Sequence, residues 1–213
     1  MADSIDAAAG HFHAGRMAEA IAACRAVLRV DPRQAEALNL LGAALFSIGD
    51  HDAAGAVLDE AVRIAPGHDT ALTNLIVVRL HRRAWAAAER CLRRLAVLDP
   101  GRPFAWSRLG TALQETGDLE GSIRGLLRAV RLTPSSDTDR FNLGTVRILA
   151  GDFDAAVDTL RRVIAANPNG VLAHVRTGEM LLRLGRPDQA ATAFQRALRL
   201  DPGDGDAANG LAR

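Results

Sequence analysis

The side chains of this chain that could do chemistry are six histidines, two cysteines, its acidic residues and its arginines, and their spacing points away from catalysis. None of His11, His13, His51, His68, His81 and His174 falls at metal-ligand spacing with Cys or Glu. His11 and His13 are two apart, so on one helix they point in different directions. Surface or groove positions are the expectation for all six. Cys24 and Cys91 share no motif and read as small buried hydrophobes in a reducing compartment. The pairs Gly49-Asp50, Gly117-Asp118 and Gly151-Asp152 recur. They read as helix stop and helix start, because Gly ends one helix and Asp favours the next N-terminus. No catalytic, cofactor or metal site follows from these patterns, and the expectation is a protein that is not an enzyme.

Composition narrows the class of partner. The chain is 48% hydrophobic and 24% charged, which suits a folded protein. All 26 basic residues are arginine, and the net charge is +1. So small a net charge offers no general field for nucleic acid or membrane, and neither is expected as a partner. The start, Met1 to Gly10, lacks a basic segment followed by an apolar run, and no apolar stretch reaches membrane-spanning length. A cytoplasmic location is therefore expected.

The elements that must carry these side chains are set by a repeat. Pro32, Pro66, Pro100, Pro134, Pro168 and Pro202 follow one another at a constant interval of 34 residues, and a fixed period of this size marks stacked supersecondary units. With each proline at position 32, the repeats are 1–34, 35–68, 69–102, 103–136, 137–170 and 171–204, with a partial cap at 205–213. Position 8 is Ala8, Gly42, Ile76, Gly110, Gly144 and Gly178; position 15 is Gly15, Gly49, Arg83, Gly117, Gly151 and Gly185. Position 24 is Cys24, Leu58, Leu92, Leu126, Leu160 and Phe194. Apolar residues at 4, 7, 8 and 11 share one face of a first helix, and those at 20, 24 and 27 share one face of a second. Small residues at 8 and 20 let the two helices approach. Glycine at 15 takes a positive φ and ends the first helix. The residue before proline is pushed out of helical geometry, which ends the second. First helices are predicted at about 35–48, 69–82, 103–116, 137–150 and 171–184, and second helices at about 51–64, 85–98, 119–132, 153–166 and 187–200.

This pattern resembles the tetratricopeptide-repeat family over residues 1–204; Trp106, Leu109, Gly110, Leu113, Ser122, Leu126, Ala129 and Pro134 reproduce it in the fourth repeat. The resemblance implies an all-α fold. It would be a right-handed α-α superhelix, a solenoid of six 34-residue helix-turn-helix repeats plus a partial C-terminal helix, forming one array over 1–213. First helices would line the concave side and second helices the convex side. The implied activity is that of a protein-protein interaction scaffold or adaptor that holds a protein or peptide ligand in the concave groove. A second reading stays open. Similar arrays form the non-catalytic repeat region of bacterial glycosyltransferases and sulfotransferases, presenting substrate to a catalytic domain.

By the family pattern, positions 2, 5, 9, 12 and 13 line the groove. The candidate peptide-binding residues are Asn39, Phe46, Thr73, Asn74, Leu80, Ser107, Gln114, Phe141, Asn142 and Ile148. The face is apolar with small hydroxyls and few charges, which suits a peptide with apolar anchors. A cluster of basic and Asn residues for an acidic C-terminal tail is not visible. Asn74 and Asn142 at position 6 could bind peptide backbone, as groove asparagines do in some family members. Alternatively, part of the stripe packs between neighbouring first helices.

Three features depart from or add to the pattern. The third repeat carries Ile76, Arg79 and Arg83 at positions 8, 11 and 15, where the pattern asks for small, apolar and glycine. Either this is tolerated drift or it changes the local curvature. Second helices carry an arginine ridge, with Arg94, Arg128, Arg162 and Arg196 at position 26. It reads either as helix-dipole compensation or as a contact for an acidic partner. Asp59 and Glu60 are expected to pair with Arg93 and Arg94 of the next repeat. Finally, Gly205 and Gly210 make the last segment a poor helix, so an under-covered C-terminal edge, open to self-association, is expected.

Overall fold

The structure is a computed structural model that describes residues 4–166 and 168–212, and the side chain of residue 166 is outside the description. All regular elements among the described residues are helices. The chain separates into two compact units, Met1–Pro100 and Gly101–Arg213.

The first unit holds α1 (Ile5–His13), α2 (Met17–Val30), α3 (Ala35–Ser47), α4 (His51–Ile64), α5 (Asp69–His81) and α6 (Trp85–Leu98). The second holds α7 (Pro103–Thr116), α8 (Leu119–Leu132), α9 (Asp137–Leu149), α10 (Phe153–Ala166), α11 (Val171–Arg183), α12 (Pro187–Leu200) and the short α13 (Gly205–Leu211). The bounds follow the repeat: second helices end where predicted, and first helices end within one residue of prediction. Within each unit every helix packs on its chain neighbours, and alternate first helices also touch, as α3 does α5 and α9 does α11. This is the layering of stacked helical hairpins, in which a face that one hairpin leaves bare is covered by the next.

The small residues at position 8 act as expected at most levels. A Cβ on Gly110 would lie 2.5 Å from Leu126 Cγ, and one on Gly178 would lie 2.6 Å from the Phe194 ring. Gly42 is seated against Leu58 in the same way. Gly144 differs. Its nearest neighbour is the Met180 methyl at 3.1 Å, from the following repeat, and Leu160 of its own hairpin is not among its close contacts. Ile76 is fully buried. Asp50 and Asp118 cap α4 and α8, accepting from the amides of Ala53 (3.1 Å) and Gly121 (2.8 Å), so Gly49-Asp50 and Gly117-Asp118 are the stop-and-start signals they resembled. Gly117 has φ 89°, and Arg83 holds the same kind of turn at φ 54°. There Arg83 N–H donates to Leu80 O (3.0 Å) and Ala84 N–H to Arg79 O (2.9 Å), the pair of bonds that closes a left-handed helix end.

The last segment forms a helix despite its glycines. Gly210 presses its bare α-carbon on Phe194, where a Cβ would not fit. Phe194, Ala197 and Ala207 are fully buried together. Leu211 stays 40% exposed, and a cleft of about 290 Å³ opens between Arg176, Glu179, Phe194 and Asp206.

Candidate functional site

The predicted groove residues lie on the first helices, and the structure separates them by what they touch. Asn39 is buried, and its Oδ1 accepts a hydrogen bond from Asn74 Nδ2 at 2.8 Å. This pair ties α3 to α5. Ser107 donates to the buried carboxylate of Asp139 at 2.5 Å, which ties α7 to α9 in the same manner. Thr73 donates back to Asp69 O at 2.8 Å. Two side-chain pairs, Asn39 with Asn74 and Ser107 with Asp139, thus tie neighbouring first helices, while Thr73 bonds within its own helix.

The half-buried residues Phe46, Leu80, Gln114, Phe141, Asn142 and Ile148 keep part of their surface free. Phe46 meets the rings of His51 (4.9 Å between centroids) and His81 (5.5 Å), so one end of the first-unit groove is an aromatic cluster. In the second unit Phe141 and Asn142 share a cleft of about 280 Å³ with Thr145, Arg176, Glu179, Met180 and Arg183. The sequence reading missed Arg176 and Arg183. They occupy positions 6 and 13 of the last repeat, where the candidate residues include only the asparagines of earlier repeats at position 6 and none at position 13. Arg176 pairs with Glu179 at 2.8 Å, and that carboxylate pushes the guanidinium's pKa up, so this end of the groove is polar.

Two expectations are corrected. Asp59 and Glu60 do not pair with Arg93 and Arg94. Asp59 does reach the next repeat, but its partner there is Arg79 on α5; Glu60 pairs with Arg63 one turn on and Arg93 with Glu89 at 2.9 Å, because partners on the same helix or on the adjoining first helix are nearer. His174 is not on the surface. It is buried, and its Nε2 lies 2.8 Å from Pro168 O, where burial requires a polar partner. Cys24 and Cys91 are free and buried, and desolvation raises both thiol pKa values, that of Cys24 to about 11. No group of three metal-ligating side chains occurs among the described residues. Nor is any helix among them long and apolar enough to cross a membrane.

Sequence models of the tetratricopeptide repeat match residues 6–69, 75–137 and 141–212, so the chain belongs to the tetratricopeptide-repeat family. A stretch of 106 residues is 35% identical to Cellulose synthase 2 operon protein C of Komagataeibacter xylinus; it covers 49% of this chain and 8% of that far longer protein. Among solved structures, MamA of Desulfovibrio magneticus RS-1 superposes with a TM-score of 0.70 at 23% identity, over 78% of this chain and 93% of that one. YrrB, described as a TPR protein with an unusual peptide-binding site, superposes with a TM-score of 0.71 at 18% identity, over 89% and 98% of the two chains. At such identities these likenesses concern the fold.

Proposed function

We propose that the chain is a non-catalytic scaffold or adaptor that holds a peptide segment against its first helices. The observation that supports this most is the cleft between α9 and α11. Half-buried Phe141 offers an apolar anchor there, and Asn142, Thr145 and Arg183 offer polar groups that fix an orientation. Phe46, Leu80, Gln114 and Ile148 extend the same kind of surface. Asn39, Thr73, Asn74 and Ser107 support it from behind by fixing the helices that carry it. Proteins of this repeat family serve as interaction platforms, and the peptide-binding site named for YrrB is consistent with such a role here. The test is a pull-down with the intact chain, followed by titration of whatever protein is recovered. Phe141→Ala should weaken that binding about tenfold, or ~1.4 kcal/mol. Unchanged affinity in Phe141→Ala and Phe46→Ala alike rules the groove out.

The match to part of a protein of a cellulose synthase operon favours a second reading, in which the repeats belong to a larger polypeptide or assembly that handles a polysaccharide. Self-association through the C-terminal edge, at Leu211, would appear as mass rising with concentration in light scattering.

A further inference from the structure

One arginine framework occurs twice in the chain, 68 residues or two repeats apart, and only one copy is neutralised. In the first unit Arg79 on α5 reaches the N-terminal part of α6, where it donates to Ala87 O at 3.1 Å and to Cys91 Sγ at 2.7 Å. Its other arm holds the Asp59 carboxylate of α4. In the second unit Arg147 on α9 does the same to α10, donating to Ala155 O at 3.0 Å and to Thr159 Oγ1 at 2.5 Å. The residue that matches Asp59 is Leu127. Arg147 therefore has no carboxylate among the described residues, and its buried Nε has no hydrogen-bond partner there. A second substitution acts in the same sense. Glu60, which pairs with Arg63 in α4, is matched by Arg128 in α8, so Arg131 also lacks the acid its counterpart has.

What remains is a cleft of about 660 Å³ between α8 and α10, floored by α9. Arg131, Arg147 and Arg162 bring cationic groups to it, and Leu127, Val130 and Leu143 supply apolar wall. It is separate from the groove, because α9 presents Arg140, Leu143 and Arg147 to this cleft and Phe141, Asn142 and Thr145 to the other. The half-buried Arg147 uses only Nη1 for its bonds to α10, and a guanidinium with Nε and Nη2 unpaired among the described residues favours a single planar carboxylate in two-point contact. The apolar wall favours a hydrocarbon side chain beside it. Asp158 at the edge of the cleft, and a net charge of only +1 on the chain, oppose a polyphosphate backbone.

We propose that this cleft binds a partner peptide carrying a carboxylate next to an apolar side chain, and that the carboxylate takes the place Asp59 fills in the first unit. The inference does not depend on the groove reading above. The test uses the full chain and fluorescence anisotropy at low salt with four labelled probes. These are a blocked hexapeptide of alternating leucine and glutamate, its glutamine counterpart, a leucine peptide with a free C-terminal carboxylate, and a single-stranded oligonucleotide. The glutamate peptide or the free-carboxylate peptide should bind at least tenfold more tightly than the glutamine peptide, and which of the two does so tells whether side chain or terminus supplies the acid. Arg147→Gln should abolish that preference. Leu127→Asp with Arg128→Glu, which restores the α4 pattern, should do the same without lowering Tm, whereas Phe141→Ala should leave it intact. In nitrogen-15 spectra the Arg147 Nε–H signal should move on titration. Binding of both carboxylate peptides no tighter than that of the glutamine peptide, tighter binding of the oligonucleotide, or full binding by the folded Leu127→Asp, Arg128→Glu variant would each overturn the proposal.

Discussion

The α7–α8 and α9–α10 hairpins belong to the same unit and repeat the same pattern, yet they close by different means. In the first, Gly110 lies against Leu126, and the buried Ser122 hydroxyl donates to Gly110 O at 2.7 Å. In the second, the arginine at position 11 reaches between the helices, and Gly144 is left with a flexible methionine as its nearest neighbour. Close packing and an arginine brace are thus alternative ways to join two helices. Only the brace leaves polar capacity unused.

The largest expected effect tests that contrast by its sign. Gly110→Ala should destabilise the protein by about 2 kcal/mol, because the new methyl overpacks against the stem of Leu126 and not against a movable tip. Gly144→Ala should instead be neutral or stabilise by up to ~1 kcal/mol, since alanine is the better helix former and Met180 can move aside. Loss of stability in both, read from urea unfolding, would mean the two hairpins close alike.

Next comes the contrast between faces. For a partner recovered by pull-down, Phe46→Ala with Phe141→Ala should weaken binding by more than the roughly tenfold, or ~1.4 kcal/mol, expected of Phe141→Ala alone. Arg128→Ala with Arg196→Ala, on the second helices, should change it by less than about twofold. The reverse ranking transfers the site to the second helices.

Ser122→Ala should cost about 1 kcal/mol, the value of one buried hydrogen bond. Thermal unfolding of Ser122→Ala beside wild type measures it. An unchanged Tm would leave the glycine contact as the sole closure of that hairpin.

The smallest effect concerns Cys24. Burial raises its thiol from 9.0 to about 11, so the folded state keeps the proton longer than the unfolded chain does. That contribution to stability is complete below pH 9 and is lost as pH rises from there towards about 11. Unfolding measured across that range, with Cys24→Ala losing the slope, checks the sign. Fast alkylation of Cys24 in the native protein at pH 8 would show that it is not buried.

Much of the fold was legible because period, proline and glycine are local signals that each repeat states again. The groove was legible as a face but not as a site. Position alone could not reveal that Asn39 and Asn74 would bond to each other, or that Ser107 would turn to Asp139. Those choices depend on the distance between neighbouring first helices. The expected pairing of Asp59 with Arg93 failed for a related reason: Arg79, a departure from the pattern at position 11, reaches that acid from the next repeat. Arg176 and Arg183 are legible in the sequence as charges at positions 6 and 13 of the last repeat.

Arg83 carries a wider consequence. Its left-handed turn matches those of the five glycines at the other repeats. An arginine in that conformation is disfavoured by roughly 1–2 kcal/mol. Replacing glycine, however, also removes conformational freedom from the unfolded chain and returns roughly 0.4–1 kcal/mol. That return is smaller than the cost and is full only where the new residue is unstrained, so the turn at Arg83 carries a net cost of up to about 1–2 kcal/mol. The chain meets that cost at one repeat and still closes the turn with both backbone bonds, so the bend is held by the carbonyls of Arg79 and Leu80 and outlasts the loss of its glycine.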